Sequence, residues 1–227
     1  MVTLSRVSRV LMATVAAAAC LPTAVALRVA ETAMPDADVR VAIVYATATS
    51  DNFTRTLANA IAAGAAGAGA TTRVLAVAAA DFERDVLAWP ADALVLGSPT
   101  VNGNPSASLL AWVESTWERF WHDPRCDGKL GAVFATGGDL ALGVEHVLAG
   151  LQRLLWTFRF DVVTPDATRA DWRGMGGYAS YGAVAITQTP PFFNATPPGI
   201  AAPFVAAGEA LGAAVVRRAR ARRGLRP

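Results

Sequence analysis

Little in this sequence suits crosslinking, metal binding or membrane passage. Of its 227 residues two are cysteine, Cys20 and Cys126, and two are histidine, His122 and His146. No cysteine or carboxylate joins either histidine at a ligand spacing, which argues against a metal site. Once an N-terminal leader is removed, Cys126 stands alone, so no intrachain disulfide is available. It reads as a plain surface or half-buried thiol, because nothing in its position brings a base to it. The chain is 53% hydrophobic, much of it alanine, yet beyond the leader no apolar run is long enough to span a membrane. Net charge is only +2, without the acidic face that electron carriers present to their partners. The basic residues Arg217, Arg218, Arg220, Arg222, Arg223 and Arg226 crowd the last positions. With no aromatic interleaving or nucleic-acid motif beside them, they read as a solvated, frayed helix end, tail 217–227, rather than a nucleic-acid surface. No internal repeat is present.

The first residues differ from the rest. Arg6 and Arg9 precede the apolar run Val10 to Ala19, Thr23-Ala24-Val25-Ala26 offers small residues at cleavage spacing, and no acidic residue comes before Glu31. This is the pattern of a signal peptide over 1–26, followed by a linker over 27–38, with export through the secretory pathway as the expectation. An uncleaved anchor and an organelle transit peptide are the alternatives. Asn52-Phe53-Thr54 and Asn194-Ala195-Thr196 fit the N-glycosylation pattern.

What the chain does have is a strand, a polar turn and a helix in direct succession. Val39 to Tyr45 is a short apolar run of the kind buried on both faces of a parallel sheet. Thr47 to Thr54 is hydroxyl-rich, and Leu57, Ala58, Ile61 and Ala62 then recur at helical spacing. Such a turn, after a strand and at the positive end of a helix, suits a phosphate, which backbone N–H groups, the helix dipole and hydroxyl donors can all reach. Further strands are expected at Thr71 to Val77, Ala93 to Gly97, Lys129 to Ala135 and Phe160 to Val163, with Ala183 to Ile186 a candidate extension. Helices are expected at Asp81 to Leu87, Ser106 to Phe120, Gly143 to Arg159 and Ala201 to Arg220. Leu109, Leu110, Trp112, Val113, Trp117 and Phe120 read as core and flank packing of the second of these. Alternating strands and helices predict one α/β domain over 39–216, a doubly wound parallel sheet with ligands at the strands' carboxyl ends. Three loops fall there: Thr47 to Thr54, Ser98 to Pro105, and Thr136-Gly137-Gly138-Asp139. A long polar stretch, Asp166 to Gly182, carries Trp172, Tyr178 and Tyr181, candidates for an aromatic wall or for packing.

These residues resemble a known family. Val44-Tyr45 through Ala60-Ile61, Gly97-Ser98-Pro99-Thr100-Val101-Asn102-Gly103-Asn104, Gly128-Lys129-Leu130 with Phe134-Ala135-Thr136-Gly137, and Tyr181-Gly182-Ala183 look like the flavodoxin-like NAD(P)H:quinone oxidoreductases. The resemblance implies a flavodoxin-like five-stranded parallel sheet with helices on both faces, noncovalent FMN, NAD(P)H as co-substrate, a quinone-type acceptor and a homo-oligomer, dimer or tetramer. It places Thr47, Thr49, Ser50, Asn52, Phe53 and Thr54 in the phosphate loop. Pro99, Thr100, Val101, Asn102, Gly103 and Asn104 would lie along the flavin ring, with Thr136, Gly137 and Gly138 flanking it. Two departures stand out. Asn52 occupies the position of the family's loop glycine, which Asn can fill at positive φ, and Asp51 sets a carboxylate beside the phosphate site. A flavodoxin-like electron carrier and a cofactor-free scaffold are the alternatives. His146, early in the helix after the third loop, is either a substrate neighbour or simply exposed.

Overall fold

The computed structural model describes residues 38–48, 52–139, 142–165, 181–187 and 199–224. All belong to one compact unit, Ala37–Pro227. The expected leader, the expected linker as far as residue 37, Thr49, Ser50, Asp51, Trp172, Tyr178 and Asn194 lie outside the described residues.

Strand β1 (Val39–Tyr45) is apolar almost throughout and nearly all of it is buried, as a strand covered on both faces must be. Parallel pairing joins β1 to β2 (Ala70–Ala76) on one side and to β3 (Ala93–Val101) on the other. Beyond β3 lies β5 (Leu130–Gly137), also parallel. The order β2-β1-β3-β5 reverses direction after β2, so the gap between crossovers opens at the carboxyl ends of β1 and β3.

The fifth position differs from the expected single strand. It holds two short pieces, β6 (Asp161–Val162) paired with Leu130 and Gly131, and β7 (Ala183–Ile186) paired with Phe134 to Gly137. The two pieces thus occupy successive levels along one edge of β5. Tyr181 enters just before β7, and its carbonyl accepts the Gln152 side chain at 2.7 Å. That level is below the loop end of β5, and Tyr181 is 43% exposed, so it is not packed in the core.

Helices α1 (Phe53–Gly67) and α4 (Ala202–Gly224) pack together on one face. They touch backbone to backbone. A Cβ on Gly64 would sit 1.9 Å from the Glu209 carbonyl oxygen, and one on Gly212 would sit 2.0 Å from that of Ile61. The Ala/Gly bias of these helices is thus what permits the approach. On the opposite face, α2 (Ala107–Phe120) and α3 (Val144–Thr157) close over an aromatic cluster in which Phe82 lies 5.4 Å from both Phe120 and Phe158 and 6.1 Å from Trp112. Trp112 is anchored by its indole N–H on the Ala80 carbonyl at 3.0 Å. Trp117 and Leu110, expected to pack, instead remain over a third exposed along the groove between α2 and α3.

Cys126 is fully buried rather than at or near the surface, its thiol directed at the Phe120 carbonyl. Burial pushes the thiol up to about 11, so it stays protonated and unreactive near neutrality. Nor is the arginine-rich end frayed. The α4 helix continues to Gly224, where Arg223 bonds Asp92 at 2.6 Å and reaches the Asp38 carbonyl, Arg222 pairs with Asp161, and Arg220 approaches the Gly69 carbonyl. These contacts fasten the starts of β1, β2, β3 and β6.

Candidate functional site

The site grows from the carboxyl ends of three neighbouring strands. Tyr45 of β1 faces Gly97 of β3, which faces Phe134 of β5, and the Ala46 N–H donates to the Gly97 carbonyl at 3.0 Å. β1 ends at this level, while β3 and β5 stay paired for two residues more, through Pro99 and Thr136.

In the first loop, Asn52 adopts φ 54°, ψ 31° immediately before α1. This left-handed geometry is the one expected where the loop lacks glycine. The first helical bond runs from the Thr56 N–H to the Asn52 carbonyl at 3.0 Å. Phe53, Thr54 and Arg55 thus begin the helix with N–H groups that have no intrahelical acceptor, and the first turn holds no acidic residue. Thr47 is exposed at the end of β1, while Asn52 and Phe53 are half-buried.

The second loop is more ordered than a plain connection. β3 runs on through Pro99 and Thr100 to Val101, and Asn104–Pro105 (β4) folds back antiparallel on it. Asn102 at φ 49° and Gly103 at φ 78° form the two-residue turn between them, the Asn-Gly signature of a type I′ hairpin. Asn104 steadies it by donating its amide to the Asn102 carbonyl at 2.9 Å. Below, Ser98 accepts the Ser106 N–H at 2.8 Å, tying the hairpin's return to the sheet.

The third loop leaves β5 after Gly137 and reaches α3 through Gly143, whose φ is +90°. A Cβ on Gly143 would stand 2.8 Å from the Gly103 Cα, so the second and third loops meet there without side chains. Beside this contact, Leu142 and Val101 are 58% and 39% exposed, an apolar lip on an otherwise polar rim. Leu142 was not among the residues singled out from sequence; an apolar residue in a glycine-rich, solvent-facing loop was the available signal. His146 is exposed on the first turn of α3. His122 meets Trp121 edge-on beyond α2, away from the three loops.

The structure brings Thr54, Pro99, Thr100, Val101, Asn102, Gly103, Asn104, Thr136 and Gly137 together. Thr136 does not simply border the site: its hydroxyl bonds that of Thr54 at 2.8 Å, with both residues buried. Pro99 faces Thr136 across the ladder, and Thr100 lies over Gly137. The Thr100 hydroxyl oxygen is buried with no partner, alone in this among the described side chains. An orphaned hydroxyl of this kind costs stability unless something binds it.

Spare hydroxyls and helix-end N–H groups without a nearby first-turn carboxylate fit an acceptor-only phosphate, and the turn-shaped hairpin beside them fits a flat ring; FMN carries both. Among the described residues, no group of histidine, cysteine and carboxylate side chains could hold a metal ion, and no helix is long and apolar enough to cross a membrane. A cavity of about 250 Å³ at the opposite end of the sheet is lined by Asp92, Arg125, Lys129, Arg222 and Arg223. Arg125, Arg222 and Arg223 are already committed to carboxylates there.

Fold and site together define a flavodoxin-like FMN-binding protein. Solved structures agree on the fold: a WrbA-like flavodoxin from Agrobacterium tumefaciens has 19% identity and a TM-score of 0.57, covering 81% of this chain and 99% of that one. A flavodoxin from the domain Archaea has 16% identity and a TM-score of 0.57, covering 79% and 99%. The rubredoxin oxygen:oxidoreductase of Desulfovibrio gigas has 15% identity and a TM-score of 0.56, covering 80% of this chain and 36% of that one. No curated protein matches the sequence. The profile of the NADPH-dependent FMN reductases matches residues 39–168, and the chain belongs to that family. It is an FMN-dependent oxidoreductase with NAD(P)H as electron donor.

Proposed function

We propose that this oxidoreductase passes electrons from NAD(P)H to a quinone or a similarly flat, apolar acceptor. The observation that carries this reading is the lip of Val101 and Leu142, two aliphatic side chains left in solvent beside the site's polar groups. Exposed apolar area at a cleft mouth favours an apolar visitor, since docking removes it from water. Bound FMN supplies the redox chemistry, taking up a hydride equivalent and giving up two electrons.

The chain's own residues bind and orient. The first turn of α1 offers N–H donors to the phosphate, the Thr100 hydroxyl offers a hydrogen bond beside the ring segment, and the Asn102-Gly103 hairpin presents backbone rather than bulk. Pro99 stiffens the approach to that hairpin. One shared mouth implies that donor and acceptor visit in turn.

The purified protein should be yellow and should oxidise NAD(P)H only when quinone is added. Replacing both Val101 and Leu142 with serine should raise the quinone KM several-fold and leave the nicotinamide KM nearly unchanged. Equal change in both, or none in either, would refute the acceptor assignment. We further propose that the leader directs export and that the protein self-associates, the latter supported by Leu110, Trp117, Trp121 and Trp156 exposed on α2, α3 and the turn after α2. Cell fractionation and light scattering test these: an unprocessed cytosolic chain would refute the first, and a monomer at micromolar concentration the second.

A further inference from the structure

The Thr54 and Thr136 hydroxyls, 82 positions apart in sequence, lie 2.8 Å from one another in residues that are 2% and 4% exposed. Two hydroxyls bring two protons, and the bond between them uses one. Among the described residues neither oxygen has another side-chain or backbone partner. The pair therefore holds one spare O–H donor, shut away from solvent. Thr54 lies in the opening turn of α1, at the positive end of the helix, where the first backbone N–H groups have no intrahelical acceptor. Thr136 sits one residue short of the end of β5.

An anion at that helix end draws the spare proton to the nearer hydroxyl, Thr54, and this makes Thr136 the donor within the pair. Bonds aligned in this way polarise each other. We propose that Thr136 is a positioning residue for the phosphate of FMN, acting through Thr54, and not a contact of the flavin ring. The proposal rests on the FMN-binding assignment and gives it a direction: the β5 loop reports to the phosphate end of the cofactor. Thr136→Val removes the donor at nearly constant volume, and Thr136→Ser restores it.

The test titrates the full chain, freed of flavin, with FMN and with riboflavin, which lacks the phosphate, following flavin fluorescence. Thr136→Val should weaken FMN about tenfold, the upper end for one buried neutral hydrogen bond, while riboflavin affinity stays within about twofold. Thr136→Ser should recover FMN affinity. In a Thr54→Val background, Thr136→Val should cost no more, because a residue acting through another loses its effect with it. Equal losses for both ligands, failure of serine to rescue, or additive losses in the double variant would each overturn the proposal. Should Thr136→Val fail to fold, the serine and Thr54→Val titrations decide alone: serine must bind FMN as wild type does, and Thr54→Val must lose FMN but not riboflavin. A wild-type chain that binds neither flavin would instead remove the cofactor assignment on which the proposal rests.

Discussion

The two ends of the sheet solve opposite problems. At the amino ends of the strands the polar groups are matched: Arg223 bonds both oxygens of Asp92, Asp92 also accepts the Arg40 N–H at 2.9 Å, and Arg125 joins Asp123 to Glu83. At the carboxyl ends the groups are neutral and under-used: a hydroxyl without a partner, a hydroxyl pair with a proton to spare, and helix N–H groups with no intrahelical acceptor. The amino end has a cavity, yet among the described residues the unmet hydrogen-bonding capacity lies at the carboxyl end. A cavity lined by satisfied ion pairs is a by-product of fastening; unmet donors in a preformed shape mark where a ligand completes the molecule.

Substitutions at each end should separate these roles. The largest effect is expected for Gly143→Val, which forces a β-branched residue to φ +90° and pushes a side chain onto Gly103. About 3 kcal/mol should be lost in urea unfolding, and FMN affinity should fall with it. Retained flavin binding would break the link between the two loops. Asp92→Ala, at the other end, should cost about 2 kcal/mol by stranding its charged and backbone donors, with flavin affinity unchanged; a weakened flavin titration would show that the ends are coupled.

The third prediction uses pH. The hydrogen bond from Arg125 holds the Asp123 carboxyl below the usual carboxylate range. A depressed folded value means that its stabilisation is present above the ordinary carboxylate pKa and is lost as pH falls through the folded value. Asp123→Asn should therefore lose about 1 kcal/mol at pH 7, a modest figure because Arg125 is half exposed and screened. The deficit should shrink toward zero in strong acid. A deficit that stays constant with pH would deny the ion pair its role. The smallest effect is expected at Asn52, where Ala should cost about 1 kcal/mol and Gly almost nothing, read as Tm shifts; similar Tm values for both variants would argue against the left-handed turn.

What could be read from sequence follows from how local each cause is. Val39 to Ile61 announced strand, turn and helix because apolar period and polar interruption are both short-range, and Asn52 could be placed at positive φ because so few residues tolerate it. The Asn102-Gly103 hairpin was legible too, as the dipeptide itself signals the turn, but reading those residues as a ring-binding loop hid their pairing. Three features were not legible. Burial of Cys126 depends on core residues brought together from distant segments. The split of the fifth strand depends on where Ala183 re-enters beside Phe134. The grip of Arg222 and Arg223 depends on Asp161 and Asp92, far earlier in the chain. Each is set by tertiary placement, which a cluster of arginines or a lone thiol does not encode by itself. Thr136 belongs with these, since its partner is decided only when α1 docks against β5.

The contact of α1 with α4 has a consequence for biosynthesis. The first helix can cover its glycine-lined side only with the last one, so a nascent chain carries that apolar surface uncovered until residues near Gly212 leave the ribosome. Chains arrested before that point should stay sensitive to protease, and those released past Gly224 should become resistant together with β1 and β2. Completion of this packing thus waits until α4 has been synthesised.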